Sequence, residues 1–158
     1  SNPDIRITGI RIARERGLDI IPFLKKMVKD TDSGVRRECA IALRHNNSPQ
    51  APALWTELAK QHNGEDRWYL ESLGLALDKQ QDKFFGAWLD VVGSDWDTPG
   101  GRDIIWRSRS SKTSELLVKI LLDKKTKEAE KPRYIRALDF QSGPEKDAAL
   151  IKLISAGS

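Results

Sequence analysis

The chain has 158 residues, 39% of them apolar and 32% charged, with a formal net charge of +4 and a mean hydropathy of −0.54. That balance suits one domain with a sizeable core and argues against disorder, because a disordered segment lacks the apolar surface to offset its ordering entropy. The most apolar run, Leu116 to Leu122, is broken by Lys119 and falls far short of the about 20 residues that a membrane span needs.

Taken in order, the chain reads as a succession of short amphipathic helices. Ser1-Asn2 resembles the scar of a removed tag, and Pro3 opens a helix to about Arg16, its missing N–H costing nothing in a first turn. After Gly17, Asp19 is placed to cap a helix over Ile20 to Lys29, with Ile20, Phe23, Leu24, Met27 and Val28 on its apolar side. Asp30, Asp32 and Ser33 then offer oxygens to the N–H groups of a helix reaching His45, whose apolar positions Val35, Cys39, Ala42 and Leu43 recur at three- and four-residue spacing. Cys39 falls at a small, core-facing position and reads as packing, not redox chemistry.

Asn46-Asn47-Ser48-Pro49 stops that helix and starts the next, Pro49 to Gln61, with Leu54, Trp55 and Leu58 inward. Asp66 caps Arg67 to Asp78, and Lys83 to Val92 follows with Phe84, Phe85, Trp88, Leu89 and Val92 as bulk. The stretch from Gly93 to Gly101 reads as a loop, with Thr98-Pro99 opening a helix through Arg109 and Gly100-Gly101 in its starting turn. Thr113 to Leu122 is helical, Asp123 to Lys131 is a solvated, mobile connector, and Pro132 to Phe140 is helical again. Ser142-Gly143-Pro144-Glu145 reads as a capping box leading a last helix to Ile154.

The pattern recurs when the sequence slides along itself. Shifted by thirty residues, Ile5 lies over Val35, Gly9 over Cys39 and Ile12 over Ala42. Shifted by thirty-four, Val35 lies over Tyr69, Cys39 over Leu73, and Ala42-Leu43 over Ala76-Leu77. Arg102 to Arg109 and Arg133 to Phe140 keep the arginine-and-apolar rhythm. Alternate helices are therefore equivalent, and the Asp30 to His45 stretch resembles the second helix of a HEAT repeat. The fold expected is all-α, a right-handed HEAT-like superhelix of about ten helices in a single domain over residues 1–158, read as an internal piece of a longer protein.

Several strings extend the resemblance: Arg-Ile-Thr-Gly-Ile-Arg at 6 to 11, Ala51-Pro-Ala-Leu-Trp55, Asp66-Arg-Trp-Tyr-Leu-Glu71, the run from Trp96 to Arg107, and Arg133 to Phe140. Together they resemble the HEAT-repeat region of large exported bacterial proteins described as PVC-type haem-binding proteins or putative membrane-bound dehydrogenases. That resemblance implies a β-propeller before the repeats and a cytochrome c domain after them, in an exported or cell-envelope setting. With one cysteine, the chain cannot hold the Cys-x-x-Cys-His motif, so haem c is implied only for a domain outside it. For the chain itself the resemblance implies a non-catalytic scaffold, docking other proteins or neighbouring domains of its own chain.

All thirteen arginines fall in the second-helix segments or their ends, while lysines gather mainly on the first helices and connectors. Two consequences stand open. Arg37, Arg44, Arg67, Arg107 and Arg136, with Trp68 and Trp106, form a face for an anionic or carboxylate-bearing partner, or the arginines pair with acids such as Asp32, Glu38, Asp66, Glu71, Asp103 and Asp139 in a ladder between repeats. Trp55 and Trp88 read as core, whereas Trp68, Trp96 and Trp106 stand between packing and ligand contact.

An alternative is a nucleic-acid-binding protein, including a HEAT-like alkylpurine DNA glycosylase, for which Trp96, Asp97, Trp106 and Arg107 are the right residue types. A net charge of +4 is a thin electrostatic footprint for a duplex binder. His45 and His62 read as capping or surface residues, no pair of Cys or His has metal-ligand spacing, and no Gly-x-Gly phosphate loop follows a strand.

Overall fold

The computed structural model describes residues 2–157, which form ten α-helices and one 3-10 turn with no strand among the described residues. The helices are α1 (Pro3–Glu15), α2 (Ile21–Met27), α3 (Ser33–Ala42), α4 (Ala51–Ala59), α5 (Arg67–Ala76), α6 (Gln81–Val92), α7 (Pro99–Arg107), α8 (Thr113–Leu122), α9 (Lys131–Leu138) and α10 (Pro144–Ala156); the 3-10 turn is Gly93–Trp96. None is long and apolar enough to cross a membrane. The chain divides into two compact units, one running through Ile104 and one from Ile105 onward.

In the first unit the even and odd helices form two rows. Helix α1 packs on α3 and α3 on α5, while α2 packs on α4 and α4 on α6; α2 and α4 lie against α3, and α4 against α5, joining the rows. Short polar side chains start the odd helices. Asn2 Oδ1 accepts from Asp4 N at 2.8 Å, Asp32 Oδ1 from Val35 N at 3.0 Å and Asp66 Oδ1 from Tyr69 N at 2.9 Å, each satisfying an N–H that the helix leaves unpaired. Helices α3 and α5 are followed by residues in the left-handed region at equivalent places, His45 (φ 60°) and Lys79 (φ 59°).

The core lies between the rows. Val35, Cys39 and Ala42 of α3 and their counterparts Tyr69, Leu73 and Ala76 of α5 are all buried, as the self-comparison requires. Trp55 fills the space against α5, fully buried, donating from Nε1 to the Leu73 carbonyl at 3.1 Å and meeting Phe84 edge-on at 6.2 Å. Tyr69 returns the contact, its hydroxyl donating to the Leu58 carbonyl at 2.9 Å. On α1 the corresponding Ile5 and Ile12 are exposed.

In the second unit α8 packs on both α9 and α10, burying Leu117, Val118, Ile120, Tyr134, Leu138 and Ala149. Ser108, fully buried, ties its turns together: its Oγ accepts from Thr113 Oγ1 at 2.9 Å and its carbonyl accepts from Gln141 Nε2 at 3.0 Å.

Two local expectations are corrected here. Helix α10 does begin at Pro144, but its N-cap is Gly143 at φ 84°, with no side-chain cap, so Ser142 and Glu145 form no capping box. The connector before α9 is solvated over most of its length, yet Thr126 within it is buried and donates from Oγ1 to the Ile120 carbonyl at 2.6 Å. That bond takes up a carbonyl at the C-terminal end of α8.

Candidate binding groove

The outer side of the α1–α3–α5 row carries a groove of about 370 Å³, lined by Ile7 and Arg11, by Gly34, Arg37, Glu38 and Ile41, and by Trp68, Glu71, Ser72 and Leu75. These are equivalent positions. Gly34, Arg37, Glu38 and Ile41 correspond, 34 residues on, to Trp68, Glu71, Ser72 and Leu75, and Ile7 and Arg11 correspond to Arg37 and Ile41 at the shorter shift. Residues four apart on a helix share a face, so a row of like helices exposes one continuous strip.

Most arginines of this unit are spent on carboxylates from another turn or helix. Arg6 meets Asp30 at 2.7 Å, and Arg11 and Arg14 meet the buried Glu38 at 2.9 and 3.0 Å, joining α1 to α3. Arg44 meets Asp78 at 2.6 Å, Arg67 meets Glu71 at 2.6 Å and Arg102 meets Asp97 at 2.5 Å. Arg36 donates to the carbonyls of Asp30 and Thr31 and lies 5.5 Å from the centre of the Tyr69 ring. The hydrogen bond from Arg6 holds the Asp30 carboxyl below its ordinary range, and those from Arg44 and His45 do the same for Asp78.

Arg37 differs. Half-buried in the groove wall, it makes no hydrogen bond or ion pair with any described residue. Its Nη2 lies 3.6 Å from where a Cβ on Gly34 would stand, so the guanidinium reaches back toward the Gly34 turn. Gly34 is the counterpart of Trp68, a residue that is 72% exposed.

Of the residues singled out by sequence, the first unit brings Arg37 and Trp68 into one groove, while Arg44 and Arg67 are held by Asp78 and Glu71. Trp106, Arg107 and Arg136 belong to the second unit. There Trp106 is half-buried beneath the Arg133 guanidinium, 4.5 Å from the ring centre, Arg107 is half-buried, and Arg136 is exposed with no ion pair to a described residue. Trp55 and Trp88 are core, as expected; Trp96 is half-buried.

His62 corrects the sequence reading. Expected at a surface or cap, its side chain is only 1% exposed, with Nε2 3.0 Å from Asp103 Oδ2 and the ring stacked on Tyr69 at 6.1 Å. Its Nδ1 is buried without a hydrogen-bond partner among the described residues. The signal in the sequence was Gly100, on which a Cβ would stand 2.0 Å from the His62 carbonyl oxygen. Only glycine lets the start of α7 come this close, and that approach brings Asp103 to the ring.

Burial pushes the Cys39 thiol up to about 12 and the Tyr69 phenol up to about 12, so neither is a ready nucleophile or acid at neutral pH. Comparison of the chain with models of known families, with curated proteins and with solved structures finds no match.

Proposed function

We propose that this chain is a non-catalytic docking scaffold with the architecture of a HEAT-like, right-handed α-α superhelix. The observation that carries the reading is the groove itself: three successive helices present equivalent positions to one strip, while ion pairs such as Arg11–Glu38 and Arg44–Asp78 tie each helix to the next. Solenoids are built this way, with each unit held by its neighbours and the extended surface that the stacked repeats share left for partners. By its resemblance to the repeats of exported dehydrogenase-like proteins, the module would work inside a larger redox protein, with the redox groups outside these 158 residues.

The nucleic-acid alternative is disfavoured by the ladder. A duplex binder needs several uncommitted cations facing phosphates, whereas most guanidinium groups of the first unit already hold carboxylates, including Arg102 on Asp97 of the glycosylase-like set. Titration of the chain with a short duplex DNA at low and moderate salt tests this. Scaffold behaviour gives no saturable binding; tight binding that collapses as salt rises would replace the scaffold with a nucleic-acid function.

A further inference from the structure

We propose that the groove between α3 and α5 takes an acidic peptide segment of a partner protein, a carboxylate seated on Arg37 and a bulky apolar side chain laid on Trp68. The proposal rests on the docking-scaffold reading and adds the chemistry of what is docked.

Charge complementarity selects the occupant. The groove and its immediate partners hold four guanidinium groups, on Arg11, Arg14, Arg37 and Arg67, against three carboxylates, on Asp32, Glu38 and Glu71. Glu38 is bonded by Arg11 and Arg14 and Glu71 by Arg67, so these two acids are already neutralised. Arg37 is left as a half-buried cation without an ion pair among the described residues, the nearby Asp32 carboxylate being engaged by the Val35 N–H, and its planar fork fits a carboxylate. One such cation suits a single carboxylate better than a row of phosphates.

Shape sets the remainder. At Gly34 the place of a Cβ is bordered by Asp32, Ile7 and Arg37, so the chain there forms a closed wall of the groove, and Ile41 and the half-exposed Leu75 continue an apolar floor beyond it. From the Gly34 turn to the Ile41 turn the groove runs about 10 Å at the 1.5 Å rise of a helix, which about three residues of extended peptide would span. Tryptophan and arginine are among the residues most enriched at the energetic centres of protein interfaces.

The test is a resonance titration of the 15N-labelled chain with N-acetyl-Phe-Glu-Leu amide and with its Gln counterpart. The expected result is a shift of the Trp68 indole N–H and the Arg37 side-chain N–H, with the Glu peptide binding about tenfold more tightly. Arg37→Gln brings the two peptides to equal affinity, whereas Trp68→Ala weakens both together and keeps their ratio. Both variants should melt close to the wild type, since neither side chain makes a hydrogen bond or ion pair with a described residue. Equal binding of the two peptides by the wild type, or shifts confined to other faces, overturns the proposal and leaves the scaffold reading standing. A duplex DNA that moves the same resonances, with a steep loss on adding salt, overturns both.

Discussion

Arg44 sets two nitrogens on one carboxylate oxygen of Asp78, Nε at 3.1 Å and Nη2 at 2.6 Å, and His45 brings Nε2 to the same oxygen at 2.9 Å. The three residues close the C-terminal ends of α3 and α5 against one another. Because Arg44 first, and His45 second, hold the Asp78 carboxyl below its ordinary 3.8, the folded state binds that proton less readily than the unfolded chain. The stabilisation is therefore complete above the ordinary value and is lost as pH falls through the lowered one. Asp78→Asn should melt below the wild type at pH 7, and the gap should narrow in acid. A gap that fails to narrow between pH 7 and about pH 2.5, where ordinary carboxyls of the unfolded chain are largely protonated, would show that the pair does not act through its charge.

Glycines supply a paired prediction of opposite sign. A methyl group on Gly100 would stand 2.0 Å from the His62 carbonyl oxygen, backbone that cannot give way. Gly100→Ala should cost about 3 kcal/mol or more in urea unfolding. A Cβ on Gly9, within α1, meets nothing within 4 Å. Gly9→Ala should raise stability by about 0.5–1 kcal/mol through the helix preference alone.

The tryptophans divide by burial. Trp55 is sealed between α5 and Phe84, so Trp55→Ala should cost about 3–5 kcal/mol through the cavity and the unpaired Leu73 carbonyl. Trp68→Ala should move stability by no more than about 0.5 kcal/mol. Paired denaturant melts decide both.

Cys39 reports on opening of the first unit. With its thiol pushed up to about 12 by burial, it should resist iodoacetamide at pH 8 in the native state and react at once in denaturant. Native labelling should follow the rate at which the α3 face opens. Immediate native labelling would contradict the packing of Val35, Cys39 and Ala42.

Helix identity was legible because it is local. Asp32 and Asp66 announce starts that the structure realises, and the repeat shifts bury Val35 with Tyr69 and Cys39 with Leu73. Ion-pair partners were legible only in kind. Glu38 and Glu71 do hold arginines, but Asp32 and Asp66 are engaged as caps, and Asp30, Asp78 and Asp97 take arginines in addition. Which carboxylate lies within reach depends on the offset between packed helices, which no window of sequence contains. The His62–Asp103 contact was missed for the same reason, since it exists only because Gly100 lets two backbones meet.

The unequal shifts, thirty residues from α1 to α3 and 34 from α3 to α5, leave the groove in register. The difference is absorbed by the connectors and by the lengths of α2 and α4, outside the strip. Insertions and deletions should therefore accumulate at the exposed turn between Asn47 and Gln50 at little thermodynamic cost, and not between Lys60 and Asp66, where His62 is buried against Asp103 and its carbonyl faces Gly100. One residue added within α3 would instead turn every later side chain of that helix by about 100°, exchanging groove for core. Evolution is free to vary the spacing of the rungs while the lengths of α3 and α5 stay fixed.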